Sequence, residues 1–282
     1  MAVSTFKKIS HSLWASKRGF IGCILVAIVI TLASTASYIS PFDPLAQDLK
    51  IRLKPPGWKN ENNETHWLGT DHLGRDIASR IIHGARISLV IGISSLLIGS
   101  ILGTTIGLLS GFLRGKIDVI FMRVADIQLA FPFILLLIAI VTILGPSLRN
   151  IIVVMGITSW VFYARIVRSE VLSLREKEFI TAARALGCSN FKIIFLHLLP
   201  NVGASTIVIA TLELARIILA EAGLSFLGLG IQPPTPAWGA MLADGRVYIF
   251  TAWWLATFPG MALMLTILGV NMMGDWLRDF IK

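Results

Sequence analysis

The chain consists of six long apolar runs separated by shorter polar segments. A transmembrane helix needs about 20 consecutive, predominantly apolar residues, and each run reaches or approaches that length. Transmembrane β-strands are shorter and alternate in polarity, so the pattern argues against a β-barrel. It predicts an all-α polytopic membrane protein with six transmembrane helices. The runs cover residues 19–40, 87–112, 118–145, 150–168, 203–231 and 250–276.

The composition supports a membrane protein and changes how the positive charge is interpreted. Of 282 residues, 55% are hydrophobic and 15% are charged, whereas about 25% of the residues in a soluble domain are charged. The net charge of +9 would suggest a nucleic-acid partner in a soluble protein. In a membrane protein, basic residues collect in cytoplasmic loops, so we expect contact with membrane lipid and no nucleic-acid partner.

The basic residues also predict the topology. The first run is longer than the core of a signal peptide, which has about 7–15 residues, so we expect a retained helix that enters from the cytoplasm. Six spans then place both termini in the cytoplasm. Seven basic residues in the external region oppose this assignment. The expected parts are a tail and first helix at residues 1–40, an external region at 41–86, a five-helix core at 87–277 with a cytoplasmic loop at 169–202, and a tail at 278–282.

Several features are expected at the membrane surface and within the spans. In residues 74–86, Ile77 and Ile81 share one face of an amphipathic segment, which predicts an interfacial helix that leads into the second span. Pro132 and Pro259 are expected to kink their spans. The polar face of the amphipathic segment consists of Asp76, Ser79, Arg80 and His83, and the last span has Trp253 and Trp254 at one end and Trp276 at the other, as in an aromatic belt.

A stripe of four glycines runs along the second span. Gly99, Gly103, Gly107 and Gly111 recur at a spacing of four residues, so one face of this helix allows another helix to approach closely. The pattern does not identify the partner helix. Packing within the chain is favoured over a contact between subunits.

The fifth span carries three charged residues, Glu213, Arg216 and Glu221, on one helix face. Charges at membrane depth are costly and normally face a partner or a polar cavity. Glu213 and Arg216 have the spacing of an intrahelical ion pair, which favours a structural ion-pair ladder. The alternative is that these charges line a pathway, either for a substrate or for the ions or protons of a secondary carrier. Arg123 and Asp126 repeat the same spacing in the third span.

Nothing in the sequence points to an enzyme. The phosphate-binding pattern G-x-x-x-x-G-K-[ST] is absent, since residues 111–117 are one residue short of it and lack the hydroxyl. The histidines show no metal-ligand spacing. We therefore expect no catalytic residue, metal or cofactor in this chain, and a membrane enzyme is disfavoured.

A charged segment, residues 175–201, separates the fourth span from the fifth. Its spacing predicts two short helices joined at Gly187, where the first helix ends in a left-handed residue. The second helix is expected to be capped by Ser189 or Asn190 and to end before Pro200. The predicted apolar faces are Phe179, Ala182, Ala183 and Leu186 on the first helix, and Phe191, Ile194, Phe195 and Leu198 on the second.

This segment resembles the signature loop of bacterial ABC-importer permeases, which has the pattern E-A-A, three residues, Gly, nine residues and I-x-L-P. Thr181 and His197 replace the glutamate and the isoleucine of that pattern. The stretches at residues 66–92, 175–187 and 221–242 also resemble the C-type permease subunit of dipeptide and oligopeptide importers. The positions that match the loop pattern are Ala182, Ala183, Gly187, Leu199 and Pro200.

The resemblance implies a type I ABC-importer permease fold in a bacterial inner membrane, and it implies import driven by ATP. The expected partners are a homologous second permease, two cytoplasmic ATPase subunits that bind ATP and Mg²⁺, and an extracytoplasmic binding protein. Members of this family carry dipeptides, oligopeptides, antimicrobial peptides, glutathione or nickel, so peptide is the expected substrate and glutathione and nickel remain alternatives. The residues expected to couple the permease to the ATPase are Glu178, Thr181, Ala182, Ala183, Gly187, Leu199 and Pro200.

Overall fold

The structure, a computed structural model, describes residues 12–13 and 16–281. The rest of the predicted N-terminal tail and Lys282 lie outside the described residues. Two-residue strands, β1 (Trp58–Lys59) and β2 (Thr65–His66), pair antiparallel in the region predicted to be external. The helices are α1 (Lys17–Ser34), α2 (Ala36–Ile39), α3 (Ile77–Leu113), α4 (Gly115–Leu129), α5 (Phe133–Leu144), α6 (Leu148–Leu174), α7 (Glu178–Ala185), α8 (Asn190–Lys192), α9 (Leu199–Phe226), α10 (Trp238–Gly245) and α11 (Trp254–Ile281), with 3₁₀ turns at Leu49–Ile51 and Arg246–Tyr248.

Five helical segments in the described part of the chain are long and apolar enough to cross a membrane, and α4 with α5 makes a sixth if the pair is one span. The predicted third span is not one straight helix, because α4 and α5 meet at an angle of 91°. The break lies at Pro132, which has no backbone N–H and disfavours helical geometry in the preceding residue. Pro259 lies inside α11, which continues through it.

The predicted interfacial helix is not a separate element. Residues 77–86 form the first turns of α3, a continuous helix of 37 residues. The polar face expected to meet solvent or headgroups is largely buried: Ser79 is 0% and Arg80 4% exposed. Asp76 caps the helix by accepting a hydrogen bond from the Ser79 N–H at 2.8 Å. Tertiary contacts with residues 42–71, which the local pattern does not reveal, account for this burial.

A buried charge cluster joins the predicted external region to α3 and α10. The Asp71 carboxylate lies 2.6 Å from Arg75 Nε and 3.6 Å from Arg80 Nε. Arg75 also lies 3.9 Å from Asp244 in α10. Arg75 and Arg80, two of the seven basic residues of the predicted external region, are therefore buried beside acidic groups.

Trp254 does not belong to an aromatic belt at the membrane surface. Its side chain is 7% exposed, and its Nε1–H donates to the carbonyl oxygen of Thr70 at 3.2 Å. Its neighbour Trp253 is 50% exposed. Trp254 therefore connects the predicted external region to the start of α11.

The glycine stripe of α3 faces α6 within the same chain. A Cβ atom on Gly103 would lie 2.3 Å from the carbonyl oxygen of Trp160, and one on Gly107 would lie 2.7 Å from that of Ala164. The two outer glycines make similar approaches to α6. Since the close atoms belong to the backbone, no side-chain rotation could relieve a clash there.

Replacing Gly103 with leucine is therefore expected to force α3 and α6 apart and to destabilise the protein by at least about 1–3 kcal/mol, the usual effect of overpacking. The matched control is Gly203→Leu in α9, because a Cβ atom on Gly203 meets nothing within 4 Å. Thermal melting of the purified protein in detergent compares the two variants. Equal melting temperatures would show that the stripe does not control this packing.

Candidate functional site: the loop between α6 and α9 and the charges within the spans

The first helix of the predicted coupling loop is α7, and a glycine ends it. Gly187 has a φ of +79°, a conformation that costs a residue with a Cβ atom about 1–2 kcal/mol. The Gly187 N–H donates to the Arg184 carbonyl at 2.9 Å, and the Cys188 N–H donates to the Ala183 carbonyl at 3.0 Å. This is the Schellman arrangement, and it fixes the direction in which the chain leaves α7.

The second short helix does not end at Pro200. Ser189 caps α8 by accepting from the Lys192 N–H at 3.4 Å, and the chain then continues through a π-helix, Ile193–Leu198, into α9. The prediction of an end at Pro200 was wrong because proline is tolerated in the first turn of a helix. In the same turn, the side-chain amide of Asn201 donates a hydrogen bond to the His197 carbonyl at 2.6 Å.

The predicted apolar face of α7 is only partly buried. Ala183 is 7% exposed, but Phe179 is 41% and Leu186 85% exposed. Ile180, which the sequence pattern did not single out, is fully buried. The loop is anchored by a buried apolar cluster that it shares with the ends of α3, α6 and α9. The loop contributes Ile180, Ala183, Ile193, Ile194 and Leu198, and the three helices contribute Leu108, Phe112, Val167, Val171 and Val202.

Polar contacts tie the same loop to the end of α3. Arg175 donates to the Phe112 carbonyl at 2.9 Å, and Arg184 lies over the Phe112 ring at 5.2 Å. Arg114, between α3 and α4, pairs with Glu176 at 3.1 Å. These contacts connect α7 with the ends of α3 and α6.

One surface of the loop remains uncovered in the isolated chain. Glu178, at the start of α7, is exposed, and so are Thr181, Ala182 and Gly187. These residues present mostly small side chains beside the exposed Leu186. His197 is half-buried and lies beside Phe179, with ring centroids 6.5 Å apart. Of the remaining predicted coupling residues, Leu199 is half-buried and Pro200 is exposed.

The three charges of the fifth span do not form one ladder. Arg216 donates to Glu213 Oε2 from Nε at 3.0 Å and from Nη2 at 2.7 Å. Glu221 instead accepts from the Ser225 hydroxyl at 2.6 Å, and that hydroxyl accepts from the Ile231 N–H at 3.2 Å. Glu213 and Arg216 therefore form an intrahelical pair, whereas Glu221 fixes the loop that follows α9.

The charges of α4 pair with α6 instead of with each other. Asp126 forms its ion pair with Arg165, so the Arg123–Asp126 pairing suggested by the spacing is not what the structure shows. Arg168 binds Asp118 with two hydrogen bonds, at 2.5 and 2.7 Å. The carboxylates of α4 therefore pair with arginines of the neighbouring helix and not with a residue of their own helix.

Comparison with known proteins shows the family of the chain. Residues 103–282 match the family model described as "Binding-protein-dependent transport system inner membrane component". The chain is 43% identical to the di/tripeptide transport system permease protein DppC of Pseudomonas aeruginosa, over 98% of this chain and 91% of that protein. It is 41% identical to the nickel transport system permease protein NikC of Escherichia coli, over 91% of this chain and 90% of that protein.

The fold has a solved counterpart. An inward-facing structure of the MetNI methionine ABC transporter aligns with a TM-score of 0.60 at 21% identity and covers 72% of this chain and 97% of that one. The relatives are transport permeases and not enzymes. The predicted fold class and multi-pass inner-membrane location are confirmed. The chain belongs to the family of binding-protein-dependent transport system inner membrane components.

Proposed function

We propose that this chain is the permease subunit of an ATP-driven peptide importer and that it forms half of the transmembrane pathway. The observation that carries the proposal is the loop at residues 175–200, which is anchored in the ends of α3, α6 and α9 but leaves one face of α7 uncovered. A small-residue helix face on a rigid support is suited to a close contact with another subunit.

As a component of a transport system, the chain works with a partner permease and with ATPase subunits. In our proposal, two ATPase subunits bind ATP and Mg²⁺, and an extracytoplasmic binding protein delivers the substrate. The exposed surface of α7 is the surface that docks on an ATPase subunit. Thr181 takes the place of the glutamate of the family pattern within this surface.

The coupling proposed here is mechanical. Rigid-body movement of an ATPase subunit displaces α7, and the buried anchors Ile180 and Ala183 pass the displacement to α3, α6 and α9. Arg175 and Arg184 hold the end of α3 to the same loop. ATP hydrolysis on the partner subunits thereby opens and closes a pathway that this chain shares with its partner permease.

Peptide is the proposed substrate because the DppC relative matches almost the whole chain. The NikC relative shows that nickel is the alternative to test. The assembled complex is purified with its binding protein, and native mass spectrometry identifies the bound ligand. Uptake of labelled dipeptides and tripeptides into proteoliposomes is measured in parallel with uptake of labelled nickel. A bound peptide and peptide uptake support the proposal, whereas nickel as the only ligand would overturn it.

A further inference from the structure

Arg216 carries a charge near the middle of α9, and its side chain is only partly covered. The side chain is 27% exposed, while that of its partner Glu213 is 8% exposed. A charged side chain at membrane depth is costly in lipid and normally faces a protein partner or a water-filled space. The exposed side of Arg216 therefore marks a surface of the chain that does not face lipid.

Other polar side chains extend this surface across α6 and α4. Phe162, which packs on the guanidinium of Arg216, is one turn away from Arg165 on the same face of α6. Arg165 pairs with Asp126, and these two side chains are 47% and 53% exposed. Ser169, one turn further along α6, is also exposed. A strip of exposed polar groups thus leads from the middle of α9 to the end of α6 that carries the coupling loop.

The guanidinium of Arg216 is fixed in place but keeps an available donor. Its Nε and Nη2 both donate to Oε2 of Glu213, and the rings of Phe133 and Phe162 each lie 4.0 Å from its Cζ. A guanidinium has five N–H donors, and Nη1 makes no hydrogen bond to any residue that the structure describes. The two rings and Glu213 therefore position a cation whose remaining donors can bind another group.

We propose that Arg216 lines the transport pathway and binds a carboxylate of the passing peptide. This inference rests on the proposed import of peptides. Every linear peptide with a free C-terminus carries a carboxylate, and guanidinium groups bind carboxylates with paired, charge-assisted hydrogen bonds. Phe133 is the first residue of α5, directly after the break at Pro132. The start of α5 therefore lies directly beside the proposed carboxylate site.

The test restores the positive charge chemically in the assembled transporter. Glu213→Gln and Arg216→Cys are introduced into a chain whose two free cysteines, Cys23 and Cys188, are replaced by alanine. The Glu213→Gln change removes the buried carboxylate that pairs with residue 216. Recovery of transport after treatment therefore cannot come from a restored ion pair between residues 213 and 216. The complex in proteoliposomes is treated with aminoethyl methanethiosulfonate, which attaches an ammonium group to the introduced thiol, or with methyl methanethiosulfonate, which attaches a neutral group of smaller size.

Peptide uptake is measured at saturating loaded binding protein, so that delivery does not limit the rate. The untreated double variant is expected to transport at least about tenfold more slowly than the cysteine-free parent, as the loss of a charged hydrogen bond would cause. The ammonium reagent is expected to restore most of the rate, and the neutral reagent is not. Loaded binding protein with ATP is expected to slow the labelling of the introduced thiol.

Four results would overturn the inference: an introduced thiol that does not react, an untreated double variant that transports at the parental rate, failure of the ammonium reagent to restore transport, or equal rescue by the neutral reagent. The Glu213→Gln single variant measures the effect of losing the ion pair alone, and the rate of the double variant is compared with its rate. Failure of the parent complex to transport any peptide would refute the proposed import itself, and this inference with it.

Discussion

Replacing Gly187 with valine is expected to lower peptide transport by roughly tenfold while the protein still inserts in the membrane and assembles. A β-branched residue at a φ of +79° is strained by about 1–2 kcal/mol, and a loss of about 1.4 kcal/mol corresponds to a tenfold change. Relief of that strain changes the direction in which the chain leaves α7, so the exposed face no longer docks correctly. ATP hydrolysis by the complex, measured beside transport, is expected to continue.

Gly57→Val is the matched control. Gly57 has a φ of +80°, and a Cβ atom meets nothing within 4 Å at either Gly57 or Gly187. The two substitutions therefore add the same strain and cause no clash, but Gly57 lies in the region predicted to be external. Only the change at Gly187 is expected to separate ATP hydrolysis from transport. Normal uptake in Gly187→Val, or an equal loss in both variants, would contradict coupling through this loop.

The second large effect is expected at Asp71. Replacing Asp71 with alanine leaves Arg75 and Arg80, each 4% exposed, as buried cations without their shared carboxylate. Breaking a buried ion pair from one side costs about 3–5 kcal/mol, and the backbone N–H groups of Leu73 and Arg75 lose their acceptor as well. We expect the Asp71→Ala protein to fail to accumulate in the membrane, as measured by immunoblotting of membrane fractions.

Asp244→Ala is the control for this cluster. Asp244 is 44% exposed and lies 3.9 Å from Arg75, and exposed ion pairs contribute about 1 kcal/mol or less. This variant is expected to accumulate at a level close to that of the unmodified protein. Similar levels for Asp71→Ala and Asp244→Ala would show that the cluster does not hold the predicted external region in place.

The transmembrane helices could be predicted from the sequence because span length and hydropathy are local properties. The sharp bend between α4 and α5 could not, since Pro132 marks a possible break but does not set an angle of 91°. The burial of Arg80 was also missed, because amphipathic periodicity assigns polar residues to water unless a partner is known. Here the partner, Asp71, lies nine residues earlier, outside the helix.

The candidate site was predicted in part. The features set by local sequence were predicted, and those set by contacts between distant residues were not. Glycine is a local signal for the end of a helix, and α7 does end at Gly187, which has a positive φ. Periodicity could define an apolar face on α7 but could not show that Ile180 is the buried anchor, because that depends on how α7 sits against α3 and α6. The pairing of Glu213 with Arg216 follows from spacing within one helix, whereas the pairing of Asp126 with Arg165 requires knowledge of neighbouring helices.

The most direct measurement of the central claim is the energy source of uptake. Proteoliposomes that contain the assembled transporter are supplied with labelled peptide on its binding protein, with or without ATP inside and with or without an imposed proton gradient. Uptake that requires ATP and is unchanged when a protonophore collapses the gradient is the expected result. Uptake driven by the proton gradient in the absence of ATP would contradict it and would favour a proton-coupled carrier.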